Sequence, residues 1–247
     1  ARLSEVLSYA LDGYAYETAT EISAFEDYVN RWRRLEKTQN RKNPVQGRIL
    51  FAVPLGTSGI NLELYRLIRF LREHPDFLNG FVGGLLVDSE NDLYSKSAAK
   101  DLVFAANCAG CAFVGRPLVE GTRTLSNYTI VSNNLGTDLM GAYRESAAGL
   151  VKEVLGTDCV RKKCPKVLVL HASSHKTSNT YAIWNRVKEQ LPEMEIREIG
   201  LRNGTLSDCA GCPYKMCLHF GEQGSCFYGG VMVEDVYPAV READAIV

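Results

Sequence analysis

The sequence predicts an α/β protein built on parallel β-sheets. Apolar runs of strand length, such as RILFAV at 48–53 and KVLVLH at 166–171, alternate with segments whose apolar residues recur at helical spacing. Strands that alternate with helices imply right-handed crossovers and parallel pairing. The chain has 247 residues, 46% of them hydrophobic, which is enough to form the cores of one or two domains.

The first 156 residues predict a helical leader at 1–46 followed by an α/β domain at 47–156. Leu3, Val6, Leu7 and Ala10 recur at helical spacing, and the polar segment QNRKNPVQ at 39–46 fits a linker. In the domain we expect strands at 48–53, 81–87, 112–119 and 128–132, and helices after residue 61, at 95–107 and at 137–155. The inward residues of the first of these helices are expected to be Leu62, Leu64, Leu67, Ile68 and Leu71.

A basic, proline-containing segment at 157–165 predicts a linker, after which the alternation restarts at 166–247. There we expect strands at 166–171, 193–201 and 245–247, with helices at 180–191 and 233–243. The first of these helices is expected to turn Ile183, Trp184, Val187 and Leu191 inward. Each half has an Asn at the start of a helix, Asn61 and Asn179. The hypothesis that the first domain is a degenerate repeat of the second therefore remains open. Because the sequence stops in an apolar strand, we expect the second sheet to be incomplete and the module truncated at its third strand.

Composition excludes several classes of function. The net charge of −1 argues against nucleic acid or an anionic membrane surface as a partner. The longest apolar runs are strand-sized, and the first twenty residues lack a basic stretch followed by an apolar one. These features predict a cytoplasmic protein that does not span a membrane. We also expect a homo-oligomer.

The polar loop ASSHKTSNT at 172–180 follows a predicted buried strand and precedes a helix. Five of its nine residues are Ser or Thr, and the rest include a Lys, a His and an Asn. Hydroxyls, backbone N–H groups and the positive end of a helix dipole together make an anion site. The alternative is ordinary N-capping, in which Ser178, Asn179 or Thr180 satisfies the first helical N–H groups.

Four of the eight cysteines, Cys209, Cys212, Cys217 and Cys226, are close in sequence, with two, four and eight residues between them. Thiolates suit an iron–sulfur cluster or zinc, and reduced or redox-active thiols are the third alternative. The other short pair, Cys108 and Cys111, lies between apolar segments, where buried thiols without a metal are expected.

The loop resembles the phosphate loop of the flavodoxin-like NAD(P)H-dependent FMN reductases, whose pattern is Gly-Ser-x-Arg-x-x-Ser-Asn-Thr. Ser173, Ser178, Asn179 and Thr180 match it, while Ala172 replaces the glycine and His175 the arginine. The resemblance implies that the matching residues hydrogen-bond the FMN phosphate and that His175 covers it. Because histidine is only partly charged near neutral pH, affinity would be weaker and more pH-dependent than with arginine.

The cysteine segment is similar to one in iron–sulfur flavoproteins of the same superfamily. CAGC at 209–212 is followed by later cysteines, by VED at 233–235 and by EADAIV at 242–247. The resemblance implies a [4Fe–4S] cluster held by Cys209, Cys212, Cys217 and Cys226. The compact cluster motif has two residues between its second and third cysteines, whereas this sequence has four.

The resemblance further implies a flavodoxin-like three-layer module at 166–247 whose flavin crevice follows His171 and Val247. The expected function is an FMN-dependent NAD(P)H oxidoreductase or electron-transfer flavoprotein acting on a small acceptor. The sequence singles out no catalytic acid, base or nucleophile. The alternative is a non-catalytic flavodoxin-like scaffold or partner-binding protein whose cysteine segment holds zinc or free thiols.

Overall fold

The computed structural model describes residues 2–38, 46–159, 162–173, 178–201 and 206–247. The chain divides into two compact units, residues 1–159 and 160–247, and each contains a three-stranded parallel sheet. The predicted α/β class with parallel sheets is therefore confirmed. In the described ranges, no helix is both long enough and apolar enough to cross a membrane.

Strands and helices alternate along most of the chain. The strands are β1 (Gly47–Leu55), β2 (Phe81–Ser89), β3 (Ala112–Gly121), β4 (Lys166–His171), β5 (Glu195–Gly200) and β6 (Ala245–Ile246). The helices of the first unit are α1 (Arg2–Ala10), α2 (Ile22–Thr38), α3 (Leu62–Glu73), α4 (Ser95–Cys108), α5 (Thr129–Leu135) and α6 (Leu139–Gly156). Those of the second unit are α7 (Asn179–Lys188), α8 (Tyr214–Glu222) and α9 (Tyr237–Glu242).

In the first unit β2 is the central strand, between β1 and β3. Its sequence FVGGLLVDS is almost wholly buried because helices cover both of its faces. Leu85 packs in a core with α2, α3 and α4, whereas Leu86 packs with Val6 of α1 and Tyr143 of α6 on the opposite face. Both helices of the predicted leader therefore contribute to the core of this unit.

A polar cluster lies at the carboxyl end of β2. The Arg2 side chain donates from Nε and Nη2 to the two carboxylate oxygens of Asp88, at 2.8 and 3.2 Å. It also donates to the main-chain oxygens of Ser89 and Gly121, and Tyr143 donates its hydroxyl to Asp88 at 3.0 Å. Burial and the Asp88 charge raise the pKa of Tyr143, so its hydroxyl stays a donor. Arg2 thus attaches α1 to the end of the central strand.

In the second unit β4 is central and the order is β5-β4-β6. Val167 and Val169 of β4 pack with Trp184 of α7 on one face of the sheet. The start of β6 is fixed by Asp244, whose carboxylate accepts from the Lys162 ammonium at 2.6 Å and the Lys166 main-chain N–H at 2.9 Å. These hydrogen bonds, that of Lys162 first, lower the pKa of Asp244.

Two predicted elements differ from the structure. Residues 128–132 were expected to form a strand, but a 3-10 turn at Ser126–Tyr128 leads into α5. Tyr128 stacks on Tyr143, which fixes this turn against α6, and Ile130 stays exposed. The β-branched residues of this segment favour a strand locally, and tertiary packing overrides that preference.

The helix expected at 233–243 is instead a π-helical turn at Met232–Val236 followed by α9. The reason is Pro238 in the first turn of α9, because proline has no N–H to donate to the carbonyl four residues earlier.

Two helices present a narrower apolar face than expected. In α7 only Trp184 is buried, while Ile183 and Val187 are exposed. In α3 Leu64, Ile68 and Leu71 are buried as expected, but Leu62 is exposed. A helix against one face of a three-stranded sheet needs only a narrow stripe of apolar residues, so additional apolar positions remain in solvent.

Cys108 and Cys111 were both expected to be buried, and only Cys111 is. Cys111 is buried and its sulfur lies 2.9 Å from the position that a Cβ on Gly83 would occupy, whereas Cys108, the last residue of α4, is exposed. Gly110 has a positive φ of 95°, which ends the helix and reverses the chain into β3. The pair thus ends a helix and lines a core.

We expect Arg2→Ala to lower the free energy of unfolding of the first unit by about 2 kcal/mol, because Asp88 loses a charged partner in a largely buried position. Urea unfolding followed by circular dichroism measures this. The matched control is Arg144→Ala, whose pair with Glu5 joins α6 to the same helix α1 at a more exposed position and should cost less than about 1 kcal/mol. Equal losses in the two variants would contradict the interpretation.

Burial raises the pKa of Cys111 to about 12, since the charged thiolate is disfavoured in the core. At pH 8 only about one Cys111 in ten thousand is then a thiolate. We expect iodoacetamide to modify Cys108 but not Cys111 in the native protein, and both in urea. Peptide mass spectrometry reads out the two sites, and comparable native rates would show that Cys111 is accessible.

Candidate functional site

The candidate site lies at the carboxyl edge of the second sheet. The chain passes from β4 to β5 on one side and then to β6 on the other, so the strand order reverses at β4. In doubly wound sheets ligands bind at such a point. The Leu170 N–H donates to the Val247 carbonyl at 2.9 Å, which brings residue 247 beside the end of β4. The order agrees with the flavodoxin-like crevice expected after His171 and Val247.

The first turn of α7 presents the hydrogen-bond donors that an anion requires. Ser178 is its N-cap, with extended backbone angles, and its Oγ accepts from the Tyr181 N–H at 3.3 Å. The N–H groups of Asn179 and Thr180 have no acceptor within the helix, and both residues are exposed. The positive end of the helix dipole adds to these donors. N-capping and anion binding are compatible here, because a hydroxyl that accepts one hydrogen bond can still donate its own proton.

His171, the last residue of β4, carries a buried polar atom without a partner. Its Nδ1 is inaccessible to solvent and has no hydrogen-bond partner among the described residues. The imidazole packs against Tyr181, with ring centroids 5.0 Å apart, and lies 3.4 Å from the position of a Cβ on Gly200. Buried polar groups are nearly always paired, so this nitrogen is unusual, and Trp184 Nε1 is the other such atom among the described residues.

The structure therefore describes part of the motif at 172–180. Ser178, Asn179 and Thr180 lie together at the start of α7, and Ser173 is half-buried two residues beyond β4. His175 falls within 174–177, outside the described residues. The donor set that is present, hydroxyls and main-chain N–H groups beside an orphaned imidazole nitrogen, fits a phosphate ester. The sequence analysis placed the crevice after His171 but did not include its side chain among the candidate residues, although a polar residue at the end of an apolar strand was a signal for it.

A second polar group fixes α7 to the edge strand. Glu198 of β5 accepts from the Tyr181 hydroxyl at 3.0 Å and from the Lys188 ammonium at 2.6 Å. The hydrogen bond from Lys188 is the main cause that lowers the pKa of Glu198, and the same carboxylate raises the pKa of Tyr181 and of Lys188. At neutral pH Glu198 is therefore an ionised acceptor facing two protonated donors.

The cysteine segment does not form the expected metal site. In the described part of the chain, which includes all four cysteines, no three His, Cys, Asp or Glu side chains come together as metal ligands. The four residues between Cys212 and Cys217 are taken up by Pro213, which caps α8, and by the first turn of that helix. Cys217 therefore lies within α8. The described structure therefore does not bring the four cysteines together as a ligand set for a [4Fe–4S] cluster or for zinc, and none of the four forms a disulfide.

The sequence comparison gives one match. A family model described as NADPH-dependent FMN reductase matches residues 165–247, about a third of the chain. Neither the curated proteins nor the solved structures contain a match to the chain. The matched residues coincide with the second sheet and its loop, and the family is the one that the motifs at 172–180 and 209–247 predict. Over residues 165–247 the C-terminal unit is therefore similar to the NADPH-dependent FMN reductase family.

Proposed function

We propose that the C-terminal unit binds FMN through its phosphate at residues 172–180 and acts as an NAD(P)H-dependent oxidoreductase that passes electrons to a small acceptor. The observation that carries this proposal is the capped, solvent-open first turn of α7 at the strand-order reversal, beside the orphaned Nδ1 of His171. The family match at 165–247 supports the same cofactor and reductant.

Each described residue of the loop has a distinct part in holding the phosphate. The main-chain N–H groups of Asn179 and Thr180 point out of the helix start and would donate to phosphate oxygens. The Ser178 hydroxyl keeps the first turn in place through the Tyr181 N–H and has its own proton to donate. Ser173, on the strand side of the loop, would supply a further hydroxyl.

When FMN is bound, its isoalloxazine ring supplies hydride and electron transfer. The chain's contribution is then to bind and orient the cofactor. The groups that the structure gathers at this edge are hydrogen-bond donors and an imidazole, which suit that task. The alternative function, a flavodoxin-like scaffold that binds a partner without flavin, remains the competing outcome of the experiment below.

We expect the whole protein to bind FMN and Asn179→Asp to weaken that binding at least about tenfold, because a carboxylate would face the phosphate dianion. A negative residue in the first turn of a helix stabilises the helix, so the loss would not come from unfolding of α7. Fluorescence quenching on titration with FMN measures the dissociation constant, and circular dichroism checks the fold.

The matched control is Asn61→Asp, at the corresponding helix start of the first unit. Asn61 caps α3 by accepting from the Leu64 N–H at 3.1 Å, a role that Asp fills equally well. FMN affinity should stay at the wild-type value in this variant. Unchanged affinity in Asn179→Asp would contradict the loop assignment, and a wild-type protein that binds no FMN would favour the scaffold.

A further inference from the structure

We propose that Tyr181 is the positioning residue of the phosphate site: through Glu198 and Lys188 it fixes the first turn of α7 to β5 and so sets the direction of the phosphate-binding N–H groups. This inference rests on the proposed FMN function. It assigns a role to three residues that lie outside the 172–180 motif.

Glu198 holds α7 at both of its ends. Tyr181 is the third residue of α7 and Lys188 the last, seven positions apart and thus on the same face of the helix. Each carboxylate oxygen of Glu198 takes one of the two donors, Oε2 the Tyr181 hydroxyl and Oε1 the Lys188 ammonium. Because the two attachments span the helix, α7 can neither slide along β5 nor rotate without breaking one of them.

Tyr181 also connects the three parts of the site. Its main-chain N–H is the group that the Ser178 hydroxyl caps, its ring packs on His171 at the end of β4, and its own hydroxyl reaches β5. Gly200 leaves room for the imidazole, since a Cβ there would be 3.4 Å from Cε1 and 3.6 Å from Nε2 of His171. A displacement of Tyr181 would therefore move the N-cap and the two free N–H groups beside it.

The environment of Glu198 makes this attachment strong. Its side chain is only 17% exposed, while Lys188 is 48% exposed, so the carboxylate is the more desolvated partner. Hydrogen bonds to a carboxylate are shorter and stronger than those to a neutral acceptor, and more so where water is excluded. The Tyr181 hydroxyl therefore has a better acceptor in Glu198 than solvent offers.

The test compares FMN with riboflavin, which lacks the phosphate. Tyr181→Phe keeps the ring on His171 and removes the hydroxyl. We expect its dissociation constant for FMN to rise about tenfold, because the N–H groups of the first turn are then held less firmly in the direction of the phosphate, while that for riboflavin stays unchanged. A merely structural role for Tyr181 would weaken both ligands equally, or neither, and either result would overturn the inference.

Two further variants separate the hydrogen bond from the ion pair. Glu198→Gln keeps an acceptor for Tyr181 and loses the charge opposite Lys188, so its affinity for FMN should stay within about threefold of wild type. Glu198→Leu removes both contacts and should match Tyr181→Phe, and the double variant Tyr181→Phe/Glu198→Leu should be no weaker than either single one. Additive losses in the double variant would show that the two residues act separately and would refute the network.

Measurements on the wild-type protein distinguish failure of the positioning role from failure of the proposed function. If it binds FMN and the ratio of the FMN to the riboflavin constant is the same in Tyr181→Phe, only the positioning role is wrong. If wild type binds neither ligand, the proposed function is wrong, and the positioning role is wrong with it.

Discussion

Both units depend on the same constraint, a central parallel strand buried on both faces. Such a strand is apolar through its buried middle, and a polar side chain follows where the strand reaches the carboxyl edge of the sheet. In β2 that residue is Asp88, and in β4 it is His171. The two ends differ in one respect: Arg2 and Tyr143 satisfy Asp88, whereas His171 Nδ1 has no described partner. The polar residue at the end of β2 is thus satisfied by side chains of its own unit, whereas the one at the end of β4 has a nitrogen without a partner among the described residues.

The loops that leave β1 and β4 show the same contrast. After β1, the Asn61 amide donates back to the Pro54 carbonyl at 2.7 Å, the Asn91 amide donates to the Thr57 carbonyl at 2.9 Å, and Tyr94 packs on Gly59. This loop is closed internally by side chains from its own unit. At the start of α7, by contrast, Asn179 and Thr180 are exposed, and the Ser178 hydroxyl accepts from the Tyr181 N–H. A shared strand–loop–helix pattern thus supports two different local arrangements, and only the second has the matching family motif.

The sequence predicts the parts of this architecture that depend on local patterns. Strand-sized apolar runs and the motif at 172–180 gave the fold class, the strand β4 and the grouping of Ser178 with Asn179 and Thr180. These local patterns did not predict contacts between residues that are far apart in the sequence. The hydrogen bond between Tyr181 and Glu198 depends on the register of β4 with β5, and the place of Cys217 within a helix depends on where α8 begins. Pattern matching also overestimated the inward face of α7, because the width of that face is set by the sheet and not by the helix.

The position of Asp244 has a consequence for the order in which the chain acquires its structure during synthesis. This residue binds Lys166 and Lys162, which precede it by 78 and 82 positions. The first unit holds all of its strands by residue 121 and its last helix by 156, so it can fold while the rest is still being made. In the second unit β4 leaves the ribosome early and has one side unpaired until β6 follows. An apolar strand that waits in this way is exposed to mispairing, and chaperone protection during that interval would matter for β4 more than for any strand of the first unit.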